Sequence, residues 1–379
     1  MKIEYFPTTE ANTLKTAVAD RNNEERFSAH LVLACDANAW EEADISTWLK
    51  EQQTPVFGGI FPQIIFDKTN HEEGFILVSI RKPVEYQLVK QLSEDDAIYE
   101  DSLVAVADKW DDENANQTLL VLADGMSSRI AALIESLFFS FGLERNFIGG
   151  GAGSLSFQQK PCILGPDGLL QDVAILLCLP LHSGIGVAHG YEPISEPLKV
   201  TKSDKNIIQQ IEYKDALDVY KSVVEVKCGR ALTKDNFFDI AKSFPFGIVK
   251  LDAEMVVRDP LMPTEDETGL ICVGEVPEEC FVRILEGTPN NLIAAAKQVG
   301  QLANDDWNKH YSTPAKASLF IDCISRVLFL EEKINDEIAQ VASDLPLFGA
   351  LTLGEIANNG KEYLEFYNKT SVLCILGEG

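Results

Sequence analysis

No stretch of this 379-residue chain approaches the ~20 consecutive apolar residues with which a helix spans a bilayer. Its opening, Met1-Lys2-Ile3-Glu4-Tyr5-Phe6-Pro7, carries no apolar signal core. The expectation is a cytoplasmic protein. Basic side chains are in short supply, 32 against 59 acidic ones, for a net charge of −27. Phosphate backbones and anionic lipid faces repel such a surface, which argues against nucleic-acid and membrane partners; the same acidity keeps a protein in solution. The eight cysteines contain no C-x-x-C pair. Cys178 and Cys374 lie inside apolar runs, the pattern of buried, reduced thiols rather than of a disulfide frame or a zinc site. Histidine occurs only five times, at 30, 71, 182, 189 and 310.

What is abundant is apolar sequence, 46% of the chain, enough for a packed core. It is organised as a repeat. Leu31-Val32-Leu33-Ala34-Cys35-Asp36, Leu119-Leu120-Val121-Leu122-Ala123-Asp124 and Ser318-Leu319-Phe320-Ile321-Asp322 are short apolar runs ending in an acid. Each reads as a buried strand reaching a sheet edge. A helix pattern follows, with Ile130, Leu133, Ile134, Leu137, Phe138 and Phe141 on one face in the second copy and Val327, Leu330, Ile334, Ile338 and Val341 in the third. Then an apolar run enters glycine: Val56-Phe57-Gly58-Gly59, Phe147-Ile148-Gly149-Gly150-Gly151 and Leu347-Phe348-Gly349-Ala350. The acid-to-glycine spacing suits a strand–helix–strand crossover. A further strand closes each copy, over 74–80, 173–179 and 372–376. A loose fourth copy starts near Asn236, with Phe244-Pro245-Phe246-Gly247. The expected fold is α/β: repeated strand–helix–strand–Gly-turn units forming mixed sheets flanked by helices, in two parts, 26–210 and 211–379. A surface helix is expected over 288–311, capped at Thr288-Pro289-Asn290. Strand ends and glycine turns are where ligands collect in open α/β sheets, so acids and glycines of the copies can line one cleft.

Five segments carry a resemblance to a known family. They are Ile148-Gly149-Gly150-Gly151-Ala152-Gly153, Gly184-Ile185-Gly186-Val187-Ala188-His189-Gly190-Tyr191, Asp215-Ala216-Leu217-Asp218-Val219-Tyr220, Asp322-Cys323-Ile324-Ser325-Arg326, and Phe348-Gly349-Ala350-Leu351-Thr352-Leu353-Gly354-Glu355-Ile356. In this order they resemble the FIST family of bacterial sensory proteins, over nearly the whole chain, with an N-terminal and a C-terminal FIST part. The resemblance implies a ligand-binding input module. Its ligand would be a small metabolite such as an amino acid, or a haem b that responds to nitric oxide. Its partner would be a separate histidine kinase, diguanylate cyclase or phosphodiesterase. Ala350 departs from the pattern, standing where the other copies have a second glycine.

Each candidate site residue has a functional and a structural reading. Gly149, Gly150 and Gly151 can offer backbone N–H groups to an anion, or make a tight turn between strands; no Gly-Lys-Ser/Thr follows, so this is not a Walker loop. Asp124 and Ser127 open the helix of the second copy. Ser127 stands where a nucleophile elbow puts its serine, but Arg129 replaces the last glycine of G-x-S-x-G; Ser127 or Ser128 as a helix cap explains the same residues. Asp322, Cys323 and Arg326 hold the matching corner of the third copy, where Arg326 can fork onto a ligand carboxylate or pair with a protein acid. Cys323 has no adjacent base in the sequence. Glu355 can take the amino group of an amino acid, or be a sheet-edge charge. His189 can be a haem axial ligand, with His182 as the other haem candidate, or a hydrogen-bonded sheet residue; the two fall on opposite faces of one strand. The class expected first is therefore a ligand-binding sensor. A serine-hydrolase-like enzyme using Ser127 and a scaffold that only binds protein are the alternatives.

Overall fold

A computed structural model describes residues 1–114, 117–143, 145–250, 254–358 and 363–378. The three apolar runs become the strands Ala29–Cys35, Thr118–Asp124 and Ala317–Cys323, every residue of them buried. Each lies in the middle of a six-stranded sheet. On one side it runs parallel to a glycine-bearing strand, Val56–Phe61, Phe147–Ala152 or Leu347–Thr352, reached through a crossover helix. On the other it pairs antiparallel with a closing strand, Phe75–Ile80, Val173–Leu179 or Ser371–Gly377. An outer strand completes that side: Lys2–Phe6, Glu85–Lys90 or His182–Ala188. The chain is α/β with mixed sheets flanked by helices.

The register shows which residues are equivalent. Gly58, Gly149 and Gly349 stand opposite Val32, Val121 and Phe320, the fourth residue of each central strand. A Cβ on these glycines would lie 1.9, 1.7 and 1.7 Å from the carbonyl oxygen opposite, so only glycine allows the strands to close. The acids are not equivalent. Counting from the glycine register, Asp124 matches Cys35 and Cys323, whereas Asp36 comes one place later and Asp322 one place earlier. Adjacent strand residues point to opposite faces, so the three acids do not enter their corners from one direction.

The units exchange hairpins in a cycle. The hairpin Gln63–Phe66/Thr69–His71 of the first unit joins the glycine strand of the third. Ile163–Gly165/Gly168–Leu170 of the second joins that of the first. Glu355–Asn358/Glu365–Tyr367 of the third joins that of the second. Every sheet is thus completed by another unit, which brings the glycine turns together: Gly153 N–H donates to Ile60 O (2.8 Å), and Leu353 N–H donates to Gly151 O (2.8 Å).

The third unit begins at His182–Ala188 and resumes at the helix Pro289–His310, which is capped as expected by Thr288 Oγ1 accepting Asn291 N–H (3.2 Å). Gly184 and Gly186 let this helix rest on the strand; a Cβ there would meet Trp307 N at 2.5 Å and Val299 O at 2.2 Å. Between strand and helix lies a nine-stranded sheet spanning Glu192 to Glu286. The division expected at 210/211 falls inside this sheet, since Ile207–Ile211 pairs with Leu198–Asp204. The segment read as a fourth copy also belongs here: Phe246–Ile248 runs antiparallel to both neighbours, so no crossover unit exists there. Among the described residues no helix is long and apolar enough to cross a membrane.

Candidate functional site

The candidate residues separate into two places. Gly149, Gly150 and Gly151 lie within a strand that is paired on both edges, parallel to Thr118–Asp124 and antiparallel to Glu355–Asn358. Gly151 N–H donates to Gly354 O (2.8 Å). Their smallness serves backbone contact, because a Cβ on Gly151 would lie 2.4 Å from Leu353 O.

Asp124 closes the corner of the second unit. Its Oδ1 accepts Met126 N–H (3.0 Å), and its Oδ2 accepts the Gln159 amide and Asp172 N–H (both 2.8 Å). Ser127 Oγ donates to Asp172 Oδ1 (2.8 Å), and Ser93 Oγ donates to the same atom (2.6 Å). The partners of Ser127 are thus Asp172 and Gln159, with no histidine between hydroxyl and acid to accept a proton. Arg129 is spent on two carbonyls, Glu94 O (2.5 Å) and Ala97 O (3.0 Å). This corner is saturated by its own protein.

Asp322, Cys323, Arg326, Glu355 and His189 converge at the corner of the third unit. Arg326 is wholly buried and binds only protein. Its Nε donates to Glu337 Oε1 (2.9 Å), Nη1 donates to His189 O (2.7 Å) and Lys369 O (2.9 Å), and Nη2 donates to Leu292 O (3.1 Å) and Glu337 Oε1. Asp322 Oδ1 lies 3.3 Å from Nε and accepts the Ser371 hydroxyl (2.9 Å). Arg326 therefore ties the helix start, the end of strand His182–Ala188 and the last turn together, the structural reading rather than an open fork.

Two acids, Asp322 and Glu337, share that one guanidinium, and a third, Glu355, lies beside Asp322. Burial, then the neighbouring Glu337, push the Asp322 carboxyl far above its ordinary range. Burial also raises Glu337, against Arg326. Glu355 has no exposed surface; burial and then Asp322 raise it well above a normal glutamate. Its contacts are the Thr352 hydroxyl (3.1 Å), Thr370 N–H (3.2 Å) and the Cys323 thiol. Burial, then Glu355, push the Cys323 thiol far up, so it is not a ready nucleophile.

His189 does not fit a haem iron in this arrangement. Its Nδ1 accepts Tyr191 N–H (2.8 Å), which leaves the ring proton on Nε2, 3.2 Å from Glu254 Oε1. Burial and the Arg326 charge bring its pKa down to about 3, so the ring is neutral. His182 lies against Tyr311, ring centroids 4.8 Å apart and tilted by 38°, at the other end of the strand. Among the described residues no three His, Cys, Asp or Glu side chains are placed to hold a metal ion.

Sequence reasoning missed Lys369, Asp259 and Glu337. Lys369 is buried, in a turn with φ +54°, and its Nζ reaches Asp259 Oδ2 (3.0 Å) and Lys242 O (3.2 Å), 5.9 Å from the Tyr191 ring centre. Burial opposes the ammonium, but Asp259 overcomes it and the lysine stays charged. These residues come from separate loops and one helix, so no local motif marks them; the prolines around Asp259, in Asp259-Pro260-Leu261-Met262-Pro263, were the only available cue. The corner is also where polar atoms go unpaired. Of nine buried side-chain N or O atoms without a hydrogen-bond partner among the described residues, six belong to it: His189 Nε2, Tyr191 Oη, Asp259 Oδ1, Asp322 Oδ2, Glu337 Oε2 and Asn368 Nδ2.

No curated protein matches the chain. Two family models do: the FIST N domain over residues 30–214 and the FIST C domain over residues 216–358. FIST domains are sensory, signal-transduction domains that bind small ligands. Together the two matches cover the inserted sheet and most of the three repeat units, and the chain belongs to the FIST family.

Proposed function

We propose that this protein is a sensor that takes a small charged metabolite, such as an amino acid, at the Lys369–Asp259–Tyr191 side of the third corner and passes the signal to a separate protein. A histidine kinase, diguanylate cyclase or phosphodiesterase is the kind of partner the family resemblance points to. The observation that carries the reading is the concentration of unpaired buried polar atoms there. Each such atom costs about 1–3 kcal/mol, so a polar ligand that satisfies several is bound with a gain that the saturated Asp124 corner cannot offer. The chemistry is two-sided. The Lys369 ammonium, with two of its three donors used, and the unpaired Tyr191 hydroxyl suit a carboxylate. The unpaired Asp259 Oδ1 suits an ammonium group.

A thermal-shift screen of amino acids and related metabolites tests this. A true ligand at free concentration L stabilises the folded chain by RT ln(1 + L/Kd), about 2.7 kcal/mol at one hundred times Kd, and so raises the unfolding temperature as its concentration rises. Tyr191→Phe and Lys369→Met should abolish the shift, while Ser127→Ala keeps it. A screen without any stabilising compound, or a shift that survives both corner substitutions, sinks the proposal.

A further inference from the structure

We infer that residues 154–161 form a flap that closes over the corners of the first and second units and opens as one piece about Ile60, giving Asp36, Asp124 and Ser127 to solvent. Comparison within the repeat marks this segment as an addition. Between its glycine strand and its hairpin the first unit has Pro62 alone, and the third has Leu353 and Gly354. The second has the ten residues 153–162. Both ends of this long link are clamped to one residue: Gly153 N–H donates to Ile60 O, and Ile60 N–H donates to Cys162 O (both 2.8 Å). A loop whose ends meet can swing without disturbing the sheet that holds them. Gly153, at φ +145°, supplies a hinge conformation that other residues rarely adopt.

Little holds the flap down. Among the described residues no main-chain hydrogen bond joins residues 155–161 to the rest of the protein; the turn closes on itself through Phe157 N–H and Ser154 O (3.1 Å). Every residue from Leu155 to Lys160 is exposed, and neither Leu155 nor Phe157 packs into a core. Four side-chain contacts do the closing. Ser154 Oγ donates to Asp36 Oδ2 (2.5 Å), and Lys160 Nζ pairs with Oδ1 of the same acid. Gln159 Nε2 donates to Asp124 Oδ2 (2.8 Å) and to Ser127 Oγ (3.4 Å). Ser154 and Lys160 thus grip the first corner and Gln159 the second. A segment held by a few half-solvated side chains opens at far lower cost than the strands beneath it.

The closed form also carries strain that folding does not repay. Phe157 sits in the left-handed region, φ +52°, and is 58% exposed, so a bulky side chain is forced into a rare conformation without being buried. Opening would change the second corner directly, because the Gln159 amide is one of the three donors that satisfy Asp124. The flap uses no group of the Lys369 site and does not rest on the sensor reading.

Chymotrypsin under native conditions tests the flap on the full chain. Cutting after Leu155 or Phe157 requires the segment to leave the surface, so the rate follows the open population when reclosing is fast. The first cut is expected in the flap, with little dependence on denaturant. Lys160→Met should speed it about fivefold, the scale of a half-exposed ion pair, at an unchanged global denaturant midpoint. Gln159→Ala, an exposed substitution that frees the other corner, should also speed it. Ser127→Cys then reads the uncovering itself: labelling of position 127 by a thiol reagent should accelerate with the cut when Lys160→Met is added. Equal cut rates in the wild type and both variants overturn the flap, as does a cut rate that tracks global unfolding. Labelling at 127 that stays constant while the cut accelerates overturns the claim that opening exposes the second corner.

Discussion

The corners of the second and third units occupy the same place in the same repeat, yet one is quiet and the other is charged. At the second, Asp124 has both oxygens satisfied by an amide and two backbone N–H groups, and the other acid, Asp172, is held by the hydroxyls of Ser93 and Ser127. At the third, Asp322 and Glu337 flank Arg326, Glu355 lies beside Asp322, and unpaired oxygens remain. The difference traces to one position of register. Asp124 matches Cys323, while Asp322 matches Ala123 and so enters from the opposite face of its strand. A repeat conserves where the backbone goes; the chemistry at its corner depends on which face the acid takes.

The most severe way to break this comparison is to remove the arginine of each corner. Arg326→Met leaves Asp322 and Glu337 buried without their cation and frees three carbonyls, a change expected to cost about 3–5 kcal/mol. Arg129→Met loses two carbonyl contacts and a stack 5.5 Å from the Tyr99 ring centre, at a partly solvated site, and should cost about 1 kcal/mol. Denaturant midpoints measure both. Equal losses would mean that the two corners are energetically alike.

A smaller effect sharpens what the units share. Alanine at Gly149 or Gly349 pushes a Cβ to 1.7 Å from the facing carbonyl and should destabilise each by about 1–3 kcal/mol or more. Gly300, inside the helix Pro289–His310, has its nearest neighbour at 3.9 Å, so Gly300→Ala should stabilise by about 0.4–1 kcal/mol. If Gly349→Ala behaves like Gly300→Ala, the glycine register is not what closes the sheets.

The crossovers were legible because a fully buried strand is a continuous apolar run, and a glycine forced by close approach has no substitute. The hairpin exchange was not: Gln63–Phe66 and Glu355–Asn358 are four residues each, and their partners lie far along the chain. The inserted sheet hid for a similar reason, since strands such as Leu198–Asp204 are half exposed and interrupted by bulges. At the site, Asp322, Cys323, Arg326, Glu355 and His189 could be picked out as chemistry-bearing types, but not the protons they carry. Whether His189 can bind iron is decided by Tyr191 N–H on its Nδ1, and Arg326 is diverted from a ligand by carbonyls at 189, 292 and 369. Those depend on tertiary contacts that no local pattern encodes.

The gentlest change tests whether the quiet corner is quiet in chemistry as well as in electrostatics. Ser127 Oγ donates a hydrogen bond to Asp172, whose pKa is held down despite burial by Ser93 and Ser127. An ionised acid in direct contact with a serine accepts a hydrogen bond but is too weak a base to take the proton for attack, and no histidine stands between them. Ser127→Ala removes one hydrogen bond to a charged group and should cost about 1.5–3 kcal/mol at most, discounted because Ser93 still donates to the same oxygen. A fluorophosphonate probe should leave the wild type unlabelled. Labelling at Ser127 that is lost in the alanine variant would show a base reaching that hydroxyl, and the second corner would then be the reactive one of the pair.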